Sequence, residues 1–102
     1  MKTLDKYIGN LKHESVTVRR EAVQMLGGIQ DISVVPLLIE ALKDSDPGVR
    51  WRSIYALKNI GADAKAAVPL LITALNDSNE EVREQVVQAL KKIAPNLSRL
   101  IV

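Results

Sequence analysis

The chain has 102 residues, of which 47% are apolar and 25% are charged, and its net charge is +2. This composition fits one soluble globular domain and excludes a disordered chain. The absence of Cys excludes disulfides and thiolate metal sites, and the mild basic excess argues against a dedicated nucleic-acid binder. No apolar run approaches the ~18 residues of a membrane span. With no leader-like apolar stretch near the N-terminus, we expect a cytoplasmic protein that is not bound to a membrane.

Three segments of the chain repeat one pattern. Leu11, Leu42 and Leu75 begin equivalent segments, 31 and 33 residues apart, and a Val-Arg pair lies seven positions after each Leu. Apolar residues then recur at helical spacing, which predicts a long amphipathic helix in each segment. The predicted core-facing positions are Ala22, Val23, Leu26 and Ile29; Ser53, Ile54, Leu57 and Ile60; and Val86, Val87, Leu90 and Ile93.

A shorter helical pattern precedes each of these Leu residues. Residues 35–42 match residues 68–75 almost position for position, whereas residues 4–11 keep only the apolar spacing. Each unit is therefore predicted to be a short helix, a tight turn and a longer helix. The predicted repeats cover about 1–30, 31–62 and 63–94 of a single domain of residues 1–102.

The residues around the turns predict where the long helices begin and end. Ser15, Asp46 and Asn79 occupy equivalent positions, and their side chains are expected to cap the long helices. The pair Gly27-Gly28 is expected to end the first long helix in a conformation with positive φ.

The short helices have weaker boundary signals. Asp31 and Asp63 are predicted to cap the second and third short helices. The additional two residues of the second interval fall between Ile60 and Val68, in a loop of small residues. Because Pro69 lies far from Asp63, we expect a late helix start or a bend there.

Two units share a motif that is specific enough to suggest a family. Pro36, Asp44 and Val49-Arg50 correspond to Pro69, Asp77 and Val82-Arg83. This arrangement resembles HEAT repeats, particularly the short bacterial and archaeal type also found in phycobilisome-lyase-related proteins. The resemblance covers roughly residues 4–94 and implies an all-α fold, an α-solenoid of three HEAT-like helical-hairpin repeats.

The resemblance also implies roles for the repeated Asp and Arg residues. In HEAT repeats the turn Asp and the following Arg form a hydrogen-bonded ladder between adjacent repeats, and the second helix of each repeat lines the concave face. By resemblance, the structural ladder would consist of Asp44, Asp77, Arg19, Arg50 and Arg83. The first repeat departs from the motif, with Asp5 in place of the Pro and His13 in place of the turn Asp, as expected of a terminal repeat.

No pattern of catalytic residues is present in the sequence. There is no Gly-rich phosphate loop, no nucleophile elbow and no metal-spaced set of His, Asp and Glu. His13-Glu14 resembles one iron-binding pair of a HEAT-repeat hydroxylase, but His13 is the only His in the chain. We therefore predict a protein that is not an enzyme, with no catalytic residues, no metal and no cofactor.

The predicted outward positions of the middle long helix hold two of the three aromatic residues. Trp51 and Tyr55 are four residues apart and are therefore neighbours on a helix. Trp, Tyr and Arg are enriched at binding hot spots, which predicts a protein-binding site here. The alternative interpretation is that Trp51 covers core of the neighbouring repeat. The predicted partner-binding residues are Trp51, Tyr55, Arg20, Arg52, Gln24, Gln88 and Lys58.

Three functions remain open from the sequence. The favoured hypothesis is a protein–protein interaction scaffold that binds a protein partner on its concave face. The resemblance to lyase-related repeats implies an alternative role as an accessory subunit in bilin or tetrapyrrole attachment. Weak nucleic-acid binding is the third, through the side chains of Arg20, Arg52, Lys58 and Lys91.

The C-terminal segment, residues 95–102, begins with Pro95 and ends in Leu-Ile-Val. The favoured interpretation is that this apolar stub covers the open end of the third repeat. The alternatives are that the stub forms the interface of a homodimer, or that the chain is a piece of a longer solenoid.

Overall fold

The computed structural model describes residues 2–97 and shows an all-helical repeat fold in that part of the chain. Short and long helices alternate along the chain and form three successive pairs. The helices are α1 (Lys2–Asn10), α2 (Val16–Gly27), α3 (Val35–Ala41), α4 (Pro47–Ile60), α5 (Val68–Thr73) and α6 (Glu80–Ile93). Short 3₁₀ segments cover Ile32–Val34, Gly61–Ala67 and Ala74–Asn76. The predicted fold class, an α-solenoid of HEAT-like helical pairs, is confirmed.

The helices pack as a stack in which each helix pair contacts the next. The long helix α4 lies between α2 and α6, while α1, α3 and α5 each pack against the long helix of their own pair. One buried apolar cluster runs through the stack from Val23 through Leu38, Ile54 and Leu71 to Ile93. Burial of this continuous apolar surface is the main favourable contribution to folding.

One predicted core residue is exposed, and two others, Ile60 and Val87, are only half-buried. Ile29 is 46% exposed, because α2 ends at Gly27 and Ile29 lies beyond the helix, off its buried stripe. The helical spacing that predicted its burial holds only as far as Leu26, which is fully buried.

Two of the three predicted caps of the long helices form. The side chains of Asp46 and Asn79 accept hydrogen bonds from the backbone N–H groups of Val49 and Val82, at 2.9 and 3.0 Å. Ser15 occupies the same position before α2 with the same extended backbone, but its side chain makes no capping hydrogen bond. The first long helix therefore begins without this stabilisation.

Gly27 and Gly28 do not adopt the positive φ that was predicted for them. Gly27 is the last residue of α2 and Gly28 has a φ of −69°. A Cβ atom on Gly27 would lie 2.6 Å from the Cβ of Ala56, so glycine here allows α2 to approach α4 closely. A glycine with positive φ is found instead after α4, at Gly61 (φ 78°).

The predicted late start of the third short helix is confirmed. Residues Gly61–Ala67 form a 3₁₀ segment with a kink at Ala64, and α5 begins only at Val68. Asp63 lies inside this segment and is not a helix cap, contrary to the prediction. Asp31 does precede the 3₁₀ segment before α3, but its carboxylate accepts from the Ser33 hydroxyl and makes no cap bond.

The predicted C-terminal stub is described only in part. Residues 95–97 are helical. Residues 98–102 lie outside the described residues, so the interpretations placed on the stub, including the homodimer, stay predictions.

Candidate functional site

The two aromatic residues of α4 form a stacked pair. The ring centroids of Trp51 and Tyr55 are 5.3 Å apart and the ring planes differ by 9°. Trp51 is half-buried and packs against the core cluster, whereas Tyr55 is 44% exposed. The ammonium of Lys58 lies 4.7 Å from the Tyr55 ring centroid, a cation–π contact. These contacts hold the exposed Tyr55 ring in place.

The stacked pair forms one wall of a groove between α2 and α4. This α2–α4 groove has a volume of about 410 Å³. Gly27, Gly28 and Ala56 contribute little or no side chain to the lining. The lack of a Cβ at Gly27 also allows the two helices to approach each other closely. The described residues that line it are Val23, Gln24, Gly27, Gly28, Gln30, Trp51, Arg52, Tyr55, Ala56 and Asn59.

Arg52 supplies the cationic side chain of the groove lining. It lies half-buried one residue after Trp51. Its Nη1 donates to the carbonyl oxygen of Gly48 at 3.2 Å, which is the single hydrogen bond of its side chain within residues 2–97. A guanidinium carries five N–H donors, so most of the donors of Arg52 remain available to a bound group.

Arg20, also predicted as a binding residue, makes a contact between repeats. Its Nε and Nη2 donate to the carboxylate of Asp46, at 2.9 and 3.0 Å. A Cβ atom on Gly48 would lie 2.7 Å from the Arg20 Nε, so glycine at this position leaves room for the pair. Arg20 is not part of the groove lining.

The structure thus brings together part of the predicted binding set. Trp51, Tyr55, Arg52 and Gln24 line the groove, and Lys58 contacts its Tyr55 wall. Gln88 is exposed on α6 and lies outside the lining. Six lining residues were absent from the predicted set: Val23, Gly27, Gly28, Gln30, Ala56 and Asn59. The adjacent glycines were a usable signal, since a glycine pair at the end of a packed helix also indicates a close helix approach.

Four of the five predicted ladder residues form ion pairs between neighbouring turns. The guanidinium of Arg19 donates to Asp44 at 2.9 and 3.2 Å. Arg50 donates in the same way to Asp77, at 2.8 and 2.9 Å. The side chains of the second pair are only 15% and 9% exposed. Bidentate geometry and partial burial make such pairs stronger than ordinary surface ion pairs.

Each of these arginines also binds the backbone of its own turn. The Nη1 of Arg50 donates to the carbonyl oxygens of Asp44 and Ser45. Arg19 does the same with the first turn, and Arg83 donates to the Asp77 carbonyl at 2.7 Å. One guanidinium therefore connects two successive turns in the case of Arg19 and of Arg50.

The side chains of Asp44, Asp77 and His13 also accept a hydrogen bond from the backbone of their own turn. Asp44 accepts from the backbone N–H of Asp46, and Asp77 accepts from that of Asn79, both at 2.9 Å. In the first turn the Nδ1 of His13 accepts from Ser15 N–H, also at 2.9 Å. The imidazole thus reproduces the backbone contact of the turn Asp without its negative charge.

Two of the ion-paired carboxylates, Asp46 and Asp77, have lowered pKa values. Burial raises the pKa of Asp77, but hydrogen bonds from Arg50 and the Asn79 N–H, together with nearby arginine charges, outweigh it and lower the pKa below the ordinary 3.8. The hydrogen bond from Arg20 is the main cause that lowers the pKa of Asp46. Both carboxylates are therefore more acidic in the folded chain than in the unfolded chain.

We expect acid to destabilise the protein through these two groups. Since the unfolded chain binds protons at a higher pH than the folded chain, their contribution to stability is complete above about pH 5 and is lost as the pH falls below about 4. Urea unfolding followed by circular dichroism should show a falling midpoint in that range. Asp77→Asn cannot titrate at this position and should show a shallower fall. An equal fall in the variant and the native chain would contradict the assignment.

Residues 2–97 contain no group of three His, Cys, Asp or Glu side chains placed to hold a metal ion. In the same part of the chain, no helix is both long enough and apolar enough to cross a membrane.

Comparison with known proteins identifies the family. The family profile described as HEAT repeats matches residues 4–91, and the chain belongs to this family. The fold is similar to the crystal structure of an engineered protein, a Northeast Structural Genomics Consortium target, with a TM-score of 0.71 and 23% identity. That match covers 92% of this chain but only 46% of the engineered protein, and at this identity it shows the fold alone. No curated protein matches the sequence.

The family places the chain in a class whose members commonly act as protein-interaction scaffolds. This membership favours a scaffold over an enzyme.

Proposed function

We propose that the protein is a non-enzymatic interaction scaffold and that the α2–α4 groove binds a segment of a partner protein. The observation that carries this proposal is the stacked and half-exposed Trp51–Tyr55 pair beside a groove with glycine at its base. Large aromatic side chains that are fixed before binding lose little conformational entropy in a complex. By the resemblance to HEAT repeats, the long helices α2, α4 and α6 would line the concave face.

The surroundings of the aromatic pair favour a protein segment over a nucleic acid. Single-stranded nucleic acids bind by stacking their bases on exposed aromatic faces. Here Trp51 and Tyr55 cover each other, Trp51 also packs on the core, and Lys58 lies over the Tyr55 ring. The rings are therefore better suited to forming a wall against side chains than to accepting a stacked base.

We expect the double variant Trp51→Ala/Tyr55→Ala to lose partner binding. The test selects a displayed library of random peptides on the immobilised full chain and measures the enriched peptides on both forms by fluorescence anisotropy. A hot spot contributes about 2 kcal/mol or more, so affinity should fall by roughly 30-fold. Ile72→Ala removes an exposed apolar side chain on α5 and is the matched control.

Folding of the variants has to be measured separately, because Trp51 packs against the core. The single variant Tyr55→Ala changes a more exposed ring and should reduce binding with little loss of stability. The proposal fails if no peptide is enriched, or if the enriched peptides bind the native chain and the folded variants equally.

Tetrapyrrole attachment stays a prediction of the family resemblance. A chromophore titration of the purified chain would test it.

A further inference from the structure

The charge of the groove lining differs from that of the chain as a whole. The lining contains Arg52 and no Asp or Glu, although the chain holds 12 acidic and 14 basic residues. A second cation, Lys58, lies at the edge of the groove over Tyr55. Neither cation forms an ion pair within residues 2–97. Two arginines of the ladder, Arg19 and Arg50, are by contrast already paired with Asp44 and Asp77.

We infer that the occupant of the groove is an extended peptide segment in which an Asp or Glu side chain pairs with Arg52 beside an apolar residue. This inference rests on the proposed function and assigns the chemistry of its ligand. The planar guanidinium is suited to bidentate contact with a carboxylate. Arg52 is half-buried and, among residues 2–97, its side chain donates only to the Gly48 carbonyl. A bound carboxylate would therefore meet free N–H donors that are partly shielded from water.

The base and walls of the groove fit the apolar neighbour of that acidic residue. The groove volume of about 410 Å³ leaves room for a side chain above the small residues Gly28 and Ala56, and the Trp51–Tyr55 pair forms an apolar wall. Burying one aliphatic side chain there removes apolar surface from water on both partners.

The remaining polar side chains favour an extended peptide. Gln24, Gln30 and Asn59 are exposed at the groove, and each carries an amide that can both donate and accept. An extended peptide presents free backbone N–H and C=O groups to such amides, whereas a helix uses these groups internally.

The acidic residue should approach from the side of α2. Glu81 and Asn79 line a smaller cleft on the opposite side of Trp51 and Arg52, between α4 and the start of α6. The Glu81 carboxylate would repel an acidic side chain there.

The experiment is a charge exchange at Arg52. A random library of displayed peptides of about 12 residues is selected in parallel on the native full chain and on Arg52→Glu. We expect the native chain to enrich peptides with Asp or Glu next to Leu, Ile or Val. Arg52→Glu should lose these peptides and enrich Lys or Arg at the same place. Lys65→Glu makes the same charge change on the exposed 3₁₀ segment, away from the groove lining, and should keep the native preference.

The strongest enriched peptide is then synthesised with its acidic residue and with the matching amide. On the native chain the amide version should bind about tenfold more weakly or worse, which corresponds to the loss of one charge-assisted contact. On Arg52→Gln the two versions should bind alike. Denaturation midpoints of the variants show whether each is folded.

The outcomes separate the two proposals. If peptides require Trp51 and Tyr55 but show no acidic preference, or bind Arg52→Gln as well as the native chain, the acidic-segment inference is overturned and the groove proposal stands. If no peptide requires Trp51 and Tyr55, the proposed function itself is overturned, and the inference with it.

Discussion

Replacing Asp77 by Ala is expected to lower the free energy of unfolding by about 3 kcal/mol, near the lower end of the range for breaking a buried ion pair. The variant leaves the guanidinium of Arg50 without its carboxylate in a place where that side chain is only 15% exposed. It also leaves the backbone N–H of Asn79 without its acceptor. Equilibrium unfolding in urea, followed by circular dichroism, measures the change.

Two matched variants show whether the lost ion pair or the lost hydrogen bond from Asn79 contributes more to the destabilisation. Asp77→Asn can keep the hydrogen bond from Asn79 while removing the charge, so its effect should be intermediate. Arg20→Ala breaks a bidentate pair of the same geometry in which the arginine side chain is 42% exposed, and its effect should be smaller because solvent screens that pair. If Asp77→Ala unfolds at the urea concentration of the native chain, the Arg50–Asp77 pair does not stabilise the stack.

Gly27→Ala is the second substitution for which we expect a large effect. Alanine normally stabilises a helix relative to glycine, by about 1 kcal/mol. Here the added Cβ would lie 2.6 Å from the Cβ of Ala56, so α2 and α4 must move apart. Overpacking of this kind costs about 1–3 kcal/mol, and we expect a net loss of stability in urea unfolding.

Ala56→Gly in the same chain should recover part of this loss, because it removes the atom that the new methyl group meets, while glycine inside α4 itself costs about 1 kcal/mol. The recovery, measured as a double-mutant cycle, isolates the contact between the two helices. Gly28→Ala is the control: its Cβ would meet backbone oxygens at ordinary distances of 3.5 and 3.7 Å, and it should be neutral or slightly stabilising. If Gly27→Ala and Gly28→Ala changed the free energy of unfolding equally, helix propensity alone would explain both effects, and the contact with Ala56 would not contribute.

The repeat spacing of the sequence predicted the helices and their pairing, because a buried stripe on a helix requires apolar residues at fixed intervals. The contacts of Arg50 with Asp77 could be anticipated only through the resemblance to HEAT repeats. Nothing in the spacing itself shows that a residue early in one long helix reaches the turn of the next pair.

Features that depend on the distance between helices were not predicted. Gly27 looked like a helix stop because glycine often ends helices, and only the position of Ala56 reveals its steric role. The Arg20–Asp46 pair was missed for the same reason. Ser15 was expected to cap α2, yet the local sequence does not determine whether its hydroxyl turns toward the helix.

The middle helix pair contains both partners of the ladder, since Asp44 accepts from the preceding pair and Arg50 donates to the following one. A tandem duplication of residues 31–62 would therefore place Arg50 of one copy opposite Asp44 of the next. The positions equivalent to Gly27 and Gly28 in that copy are Lys58 and Asn59. Duplication would then lengthen the array without creating a second groove, and the binding stoichiometry would stay at one segment per chain.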